Sequence, residues 1–503
     1  MIGWLGDVLR LWWGLLYWNT RKSWFRLHGD RNRSPCQNAS DSGKALETGC
    51  DAAQDWHQPA RFRRVCPLLV DTPDGLRCAV DTRDVRPFWL RAAAHYAGAA
   101  AALYLAAVLG GFALLRTIGY PVSPLTLAWP PRWPQLRIAR SQYFAEKARQ
   151  ALAAHRVNEA MLSLEIAFHN NPRNYSLGLE LAQLMALGQP AVADRLFGLL
   201  MRDHPDQREQ TAEAWYRFLL VQGRFEPATA LVADRVVQDA ARRPAWLHAL
   251  FFLTGQSHDD QTLQNLVAQH AKALNPIDVA LINSELLIRH GQGFKLIPGL
   301  TTELPASAGP FAPYYQVSRL TQLGRAGEAL NLLDHYAADH RIADADAYRL
   351  RLDAMAALGR QDLLRQRLQQ APINARELEM LSLHLVRHPD AGVLDALAAC
   401  LEKSPQPSDA ATYSACTSYF IACGVAQDWT KFQAAAARLA QISGSRLPQL
   451  DSIEAFFRQK EPGRRVETIL PSLPGLSVDA VYALYEHYGA TAPGVGIRLN
   501  PAK

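Results

Sequence analysis

The amino-acid sequence predicts an all-α protein, in which a solenoid of helix–turn–helix units follows one transmembrane helix and a small cysteine-containing N-terminal segment. Two observations predict this organisation. The 24 residues Ala92–Leu115 carry no formal charge, which is the length and composition of a membrane-spanning helix. Beyond residue 140, helical periodicity recurs with a turn glycine about every 34 residues, which is typical of stacked helical repeats. The chain is 49% hydrophobic and 20% charged, so most of it is expected to fold.

Residues 1–27 are predicted to form an amphipathic helix that lies in the membrane interface. The first 18 residues are apolar and include four tryptophans, but they are short for a span and contain Asp7 and Arg10. A cleaved signal peptide is not expected, because no basic stretch precedes the apolar run. The tryptophans, followed by Arg21 and Lys22, favour a helix on the inner leaflet.

Residues 28–91 form a small segment, predicted to be cytosolic, with four cysteines in turn-like surroundings: Cys36, Cys50, Cys66 and Cys78. Strand-like runs flank the turn sequence Thr72–Gly75, so a hairpin is expected to bring Cys66 and Cys78 near each other. Four thiols in a reducing compartment favour a structural zinc site over disulfides, with His28 or His57 as substitutes for one cysteine. The CxxC spacing typical of zinc ribbons is missing. The alternative of unliganded, buried cysteines therefore stays open.

Residues 92–116 are predicted to be the membrane span. Before it, residues 1–91 hold 14 Lys and Arg against 10 Asp and Glu, whereas only Arg116 at the end of the span and three further arginines come before the first repeat. Because cytoplasmic loops are rich in Lys and Arg, residues 1–91 are expected inside and the C-terminal part outside. In a bacterium, this describes a single-pass inner-membrane protein with a cytoplasmic N-terminus and a periplasmic solenoid. The alternative is a buried, Ala-rich helix of a soluble protein.

Small residues recur at every fourth position of the predicted span: Ala94, Gly98, Ala102, Ala106 and Gly110. On a helix they form one smooth stripe, against which a partner helix or a second copy of the chain can pack closely. The alternative is a simple anchor in which alanine is common on every face.

Residues 117–140 are predicted to be a spacer. They contain five prolines and two tryptophans, and proline-rich chain is extended and semi-rigid. Such a spacer would hold the following domain away from the membrane.

Residues 141–445 are predicted to form the solenoid. Its helical runs end at seven glycines: Gly188, Gly223, Gly255, Gly291, Gly324, Gly359 and Gly424. Successive glycines are 32–36 residues apart, except for one double interval of 65 residues in which His388–Asp390 marks the missing turn. At such a turn, glycine is expected to supply the left-handed C-cap of the helix. Residues 446–503 are predicted to be a C-terminal helical cap and tail.

The best repeat copies, Phe144–Pro172, Leu179–Pro205 and Tyr315–His340, resemble tetratricopeptide repeats. In the first copy, the positions that match the family pattern are Ala148, Ala160, Leu164, Ala167 and Pro172. In the third, they are Gly324, Ala329, Leu333 and Tyr336, and the proline is missing. The resemblance covers residues 141–445. It implies a superhelix with a concave groove for peptides or partner helices, and it implies no catalytic residues.

The sequence offers no constellation typical of an enzyme: it contains no phosphate-binding glycine loop, HExxH, GxSxG or CxxCH motif. The formal net charge of +6 is dispersed, so nucleic-acid binding is not expected. The expected function is a membrane-anchored periplasmic scaffold that binds partner proteins through its groove, in envelope assembly, secretion or polysaccharide export. The alternative is a transmembrane adaptor or sensor with a metal- or redox-responsive cysteine segment.

Three further cysteines lie in the solenoid. Cys416 and Cys423 are seven residues apart on one predicted helix, so about 10 Å separates them along its axis, which exceeds the reach of a disulfide. A chain that turns back near residue 406 is expected to bring Cys400 opposite Cys416. In an oxidising compartment, the sequence therefore predicts a Cys400–Cys416 disulfide and a buried Cys423 thiol. The alternative is three reduced core cysteines.

Overall fold

The computed structural model describes residues 85–154, 156–305, 308–370, 373–403, 410–444, 447, 449–459, 465–473 and 475–489, together with Leu16 and strand residues 37–38, 47–48, 69–72 and 75–78. Two compact units divide the chain, Met1–Tyr143 and Phe144–Lys503. The described residues from 85 onward are helical apart from their turns. The all-α prediction is therefore confirmed for this part of the chain.

The described part of the first unit includes two antiparallel strand pairs. Strand β1 (Gln37–Asn38) pairs with β2 (Glu47–Thr48), and β3 (Leu69–Thr72) pairs with β4 (Gly75–Cys78). The last two strands flank the turn sequence that predicts a hairpin. Leu69 lies opposite Cys78 in the register of that pair.

Helix α1 (Val85–Ile118) contains the predicted membrane span. Its apolar part, Ala97–Ile118, has 22 residues with a mean hydropathy of 2.0, and only 6% of it is buried. Among the described residues it is the one helix that is long and apolar enough, by length and composition, to cross a membrane.

The predicted spacer is largely helical rather than extended. It contains α2 (Pro124–Ala128), a 3-10 turn at Pro130–Arg132 and the start of α3 (Pro134–Ala153). Proline begins each of these elements, because its fixed φ angle suits the first helical position and the missing N–H is not needed there. The Ser123 side chain caps α2 by accepting a hydrogen bond from the Thr126 N–H. The helices therefore begin before residue 141, earlier than the repeat spacing predicts.

The second unit continues as a series of helices: α4 (Val157–Asn170), α5 (Tyr175–Gly188), α6 (Pro190–Asp203), α7 (Arg208–Val221), α8 (Phe225–Gln238), α9 (Arg243–Ser257), α10 (Asp260–His270), α11 (Pro276–Arg289), α12 (Ile297–Leu300), α13 (Phe311–Gln322), α14 (Ala326–Ala338), α15 (Asp344–Ala357), α16 (Gln361–Gln370), α17 (Ala375–Arg387), α18 (Ala391–Lys403), α19 (Ala410–Val425), α20 (Trp429–Ser443), α21 (Leu450–Arg458) and α22 (Val478–Tyr488). Sequential helices pack as pairs, for example α5 with α6 and α13 with α14. The first helices of successive pairs also pack on one another, from α13 through α15 and α17 to α19. This packing is consistent with a helical solenoid.

The positions on which the repeat resemblance rests are core positions. Ala148, Ala160 and Ala167 in the first copy are fully buried, as are Leu333 and Tyr336 in the third. Small side chains at these places let neighbouring helices approach closely, because protein interiors are packed without room for an added large group.

The turn glycines fulfil their predicted role at four of seven places. The glycines with a left-handed φ are Gly223, Gly291, Gly324 and Gly359. The remaining three, Gly188, Gly255 and Gly424, lie within helices. After α9 and α19 the left-handed residues are instead His258 (φ 54°) and Gln427 (φ 56°). Gly424 is needed for another reason, since a Cβ atom there would lie 2.6 Å from the ring of Phe457.

The C-terminal region caps the solenoid only in part. Helix α21 packs on α19 near the end of the repeats, as a cap would. Helix α22, which follows 3-10 turns at Val466–Thr468 and Leu470–Ser472, instead packs against α17 and α7. The chain therefore returns from its C-terminal end to one helix in the early part of the solenoid and one in its later part.

Candidate functional site in the solenoid groove

A cavity of about 600 Å³ lies among α9, α11, α13, α15 and α17, which are first helices of successive pairs, and α22 forms part of its wall. We call this cavity, together with the adjoining surface that α22 covers, the groove. Its aromatic lining consists of Phe251, Phe252, Phe311, Tyr314, Tyr315 and Tyr482. Its charged lining consists of Glu285, Arg319, Arg349, Asp353, Arg387 and Glu486. The groove therefore combines apolar surface with both signs of charge.

Aromatic side chains hold α22 in the groove. The hydroxyl of Tyr482 is hydrogen-bonded to that of Tyr216 on α7. Tyr485 is fully buried, and its hydroxyl donates to the backbone carbonyl of Leu220 at 3.1 Å. Its ring meets Phe225 edge-on, with 5.0 Å between the ring centroids. One face of α22 is thus sequestered as completely as the solenoid core.

Ion pairs join α22 to the opposite wall. Arg349 on α15 lies 3.1 Å from the Asp479 carboxylate, and Arg387 on α17 pairs with Glu486. The two arginine side chains are only 14% and 13% exposed. An acidic and aromatic helix therefore meets a basic and aromatic wall.

A buried carboxylate organises the neighbouring wall. Glu285 forms ion pairs with Arg289 at 3.1 Å and Arg319 at 2.8 Å, and it accepts a hydrogen bond from the Tyr315 hydroxyl at 3.0 Å. Arg289 also donates to the backbone carbonyl of Phe251 at 2.8 Å. Burial, followed by the Glu285 charge, raises the pKa of Tyr315 far above its usual range. This network ties α9, α11 and α13 together beneath the cavity.

His248 lies in the cavity wall among aromatic rings. Its ring meets those of Tyr314 and Tyr482 edge-on, with centroid distances of 5.6 and 5.7 Å. Burial, and then the positive charge of Arg349, lower the pKa of His248 to about 4. The imidazole is therefore neutral at neutral pH.

Asp353, His384 and His388 form a compact cluster at the edge of the cavity. Asp353 Oδ1 lies 3.5 Å from His384 Nδ1 and 3.8 Å from His388 Nε2, and the three ligand atoms lie within 4.8 Å of one another. Burial raises the pKa of Asp353, but nearby His384 and Arg387 outweigh it, so the pKa lies below its ordinary value. Burial, and then His384, lower the pKa of His388.

This cluster is not among the sites that the sequence predicts. Its signal is the spacing of His384 and His388, which puts both on one face of a helix. Asp353 comes 31 residues earlier, about one repeat, on the preceding first helix. Proximity across two repeats becomes visible only once the helix pairs are stacked.

The sites that the sequence predicts are only partly described. Cys36, Cys50, Cys66, His28 and His57 lie outside the described residues, as does the side chain of Cys78. The zinc site therefore stays a prediction. Gly98, Ala102, Ala106 and Gly110 lie on the exposed apolar part of α1, and the space beside Gly98 and Gly110 is open. The Ala94 side chain lies outside the described residues, and helix packing through this stripe also stays a prediction.

The solenoid cysteines are all buried, with Cys400 on α18 and the pair Cys416 and Cys423 on α19. Helix α19 packs mainly on α17 and α20, whereas α18 packs mainly on α16. The two helices are therefore not the closely packed antiparallel neighbours that the disulfide prediction assumes. The Cys400–Cys416 bond stays a prediction. Burial raises the pKa of the Cys416 thiol and raises that of Cys423 to about 12.

No protein-family model matches the chain, and no curated protein matches it. The helical architecture therefore rests on the structure, and the tetratricopeptide assignment rests on the residue pattern.

Proposed function

We propose that the protein is a membrane-anchored scaffold whose groove binds a helical segment of a partner protein. The observation that supports this most directly is α22, a helix of the same chain that lies against α7 and α17. A groove that buries one amphipathic helix has the shape and the polar partners to bind another. Helix-in-groove recognition of this kind depends on anchors at helical spacing.

The contacts of α22 indicate the chemistry of the partner. Tyr482 and Tyr485 supply the aromatic anchors, and Asp479 and Glu486 supply carboxylates for the arginines of the opposite wall. The favoured partner is an acidic helix with aromatic residues on one face, which takes the place of α22. Charge complementarity favours such a helix over a basic one.

The anchoring part of the proposal rests on α1 and on the charge bias around it. The excess of Lys and Arg before the span supports a cytoplasmic N-terminus and a periplasmic solenoid in the inner membrane of a bacterium. The stripe from Gly98 to Gly110 supports close packing with a second copy or a partner helix. Envelope assembly, secretion and polysaccharide export are processes in which such a tethered scaffold would serve. The repeat pattern supports a tetratricopeptide-like solenoid.

A peptide of residues 476–489 tests the groove. We expect it to bind, in detergent, a shortened chain that ends at residue 473. We expect it to bind the intact chain far more weakly, because the chain's own α22 competes for the same surface. As a matched charge swap, the peptide with Glu486→Arg should lose affinity for the shortened chain and regain it when that chain carries Arg387→Glu. The proposal would be contradicted if the peptide bound neither form although the remaining helices of both proteins were folded.

Photo-cross-linking in cells tests whether a partner uses the same surface. A photoreactive residue at Ser318, which lines the cavity, should capture one discrete partner. The same residue at Asn331, exposed on the second helix of that pair, is the matched control and should not. Equal capture at both positions would place binding outside the groove.

A further inference from the structure

We infer that Asp353, His384 and His388 form a binding site for one divalent transition-metal ion of the zinc type. Two imidazoles and one carboxylate are a ligand set that such ions accept. With metal–ligand distances of about 2.1 Å, tetrahedral ligands lie roughly 3.4 Å apart. The observed separations from Asp353 Oδ1, 3.5 Å and 3.8 Å, exceed this by only a few tenths of an ångström.

The helices hold these ligands in place before any ion arrives. His384 lies in the last turn of α17, and His388 is the C-cap residue directly after that helix. Asp353 projects from α15, which packs directly on α17. An ion would therefore bridge two successive repeats without rearrangement of the backbone.

The burial of His384 provides an independent argument. Its side chain is 2% exposed, and within the described part of the chain neither ring nitrogen has a hydrogen-bond partner. Asp353 Oδ1 is also buried, and its 3.5 Å contact with His384 Nδ1 does not have the geometry of a hydrogen bond. Unsatisfied buried polar groups are costly. An ion at this point would satisfy the carboxylate oxygen and one imidazole nitrogen together.

The site opens toward the groove. Asp353 and His388 line the cavity, so an ion held by three protein ligands would keep at least one coordination position facing the cavity. Arg387 is the closest cation on the same helix, and its pairing with Glu486 balances its charge. An anionic oxygen ligand, such as a carboxylate of a bound helix, is the chemistry that the open position would accept.

A second cluster of similar composition supplies the control. Glu303, His335 and Asp339 also bring three ligand atoms within 4.8 Å of one another, but all three residues are exposed. Because they are exposed, water can satisfy the carboxylates and the imidazole of this cluster, and His335 Nε2 lies 3.1 Å from the Glu303 carboxylate. This cluster should bind metal much more weakly than the buried one.

Cobalt titration of the full-length protein in detergent tests the site. The four N-terminal cysteines are changed to serine, so that the predicted zinc site there does not compete. After chelator treatment, we expect one equivalent of Co²⁺ to bind with the visible spectrum of nitrogen and oxygen ligands. D353N and H388Q should each weaken Co²⁺ binding at least about tenfold, because even the loss of a residue that only contacts a metal ligand commonly lowers metal affinity that much. H335Q, the matched control, should leave affinity unchanged.

Far-UV circular dichroism and thermal unfolding establish that each variant is folded. If H388Q does not fold, the near-isosteric D353N decides the question. The proposed site would be overturned if D353N bound Co²⁺ as tightly as the parent protein, or if H335Q lost Co²⁺ binding. It would also be overturned if the parent protein bound less than one equivalent of Co²⁺. Added acetate should shift the Co²⁺ spectrum, and an unchanged spectrum would refute an open position that faces the groove.

Discussion

Tyr485 is expected to control whether α22 stays in the groove. Its ring is fully buried against Phe225, and removal of a buried aromatic side chain costs about 3–5 kcal/mol. At about 1.4 kcal/mol per factor of ten, Tyr485→Ala should raise the open population of α22 by a factor of roughly 10² to 4 × 10³. Hydrogen–deuterium exchange of the amides in residues 480–488 should accelerate by the same factor, because their exchange reports local opening.

Tyr485→Phe separates the hydroxyl from the ring. It removes the hydrogen bond to the Leu220 carbonyl, but that oxygen still accepts the Gly223 N–H at 3.1 Å. The expected cost is therefore at the low end of about 0.5–1.5 kcal/mol, or a severalfold faster exchange. The phenylalanine variant should consequently retain a docked α22.

Tyr336→Ala is the matched control. Tyr336 is equally buried, but it lies on α14 and its hydroxyl donates to Gln316 on α13 at 2.7 Å. We expect it to accelerate exchange in those two helices and to leave α22 protected. If Tyr485→Ala left exchange in α22 unchanged, or if Tyr485→Phe cost as much as the alanine variant, the reasoning from ring burial would be refuted.

Four further predictions follow from the same structure and sequence. Glu285→Gln should cost about 3 kcal/mol in chemical denaturation, since it breaks a buried ion network; the exposed control Glu146→Gln should cost less than about 1 kcal/mol. The free energy of unfolding should fall, by at most about 3 kcal/mol, as the pH drops from about 6.5 to about 4, because in this range His248 is protonated in the unfolded chain but not in the folded one. His248→Phe should flatten this dependence of stability on pH, and an unchanged dependence would exclude His248 as its source. Alkaline phosphatase fused to the C-terminus should be active, whereas a fluorescent protein that folds only in cytosol should stay dark; the reverse would overturn the topology. Non-reducing peptide mapping tests the Cys400–Cys416 bond that the sequence predicts: a Cys400–Cys416 link would confirm it, and three alkylatable thiols after denaturation, the outcome that the separate packing of α18 and α19 favours, would disprove it.

The helices were predictable because their signals are local. Apolar residues at helical spacing predict α4–α20 wherever they recur, and Gly223, Gly291, Gly324 and Gly359 end helices as left-handed caps. The same reasoning misjudged Gly424, where the close approach of Phe457 requires a small residue inside a helix. Glycine alone does not reveal whether backbone freedom or lack of a side chain is needed.

The spacer shows a similar ambiguity for proline. The proline content of the spacer predicts extended chain, but Pro124, Pro130 and Pro134 each begin a helical element. Proline disfavours a helix interior and suits a helix start, so the residues around it decide its effect. At Pro124 the preceding Ser123 provides a capping hydroxyl, which the sequence already contained as a signal for a helix.

The groove could be predicted only as a class of surface. Tyr216 and Tyr482 are separated by 266 residues along the chain, and nothing in the local sequence around Val478–Tyr488 distinguishes a terminal cap from a helix that returns. Asp479 and Glu486 would look like ordinary solvated residues of an exposed helix face. Once Arg349 and Arg387 lie opposite them, the same carboxylates become recognition elements.

The metal cluster and the docked helix lie so close together that occupancy of one should affect the other. Arg387 is coupled electrostatically to Asp353 on one side and to Glu486 of α22 on the other. A divalent ion at Asp353 would neutralise the attraction between that carboxylate and the guanidinium, and Arg387 would then depend more on Glu486. Metal binding should therefore strengthen the contact between α17 and α22. By reciprocity, displacement of α22 by a partner that lacks this carboxylate should weaken metal binding by the same factor.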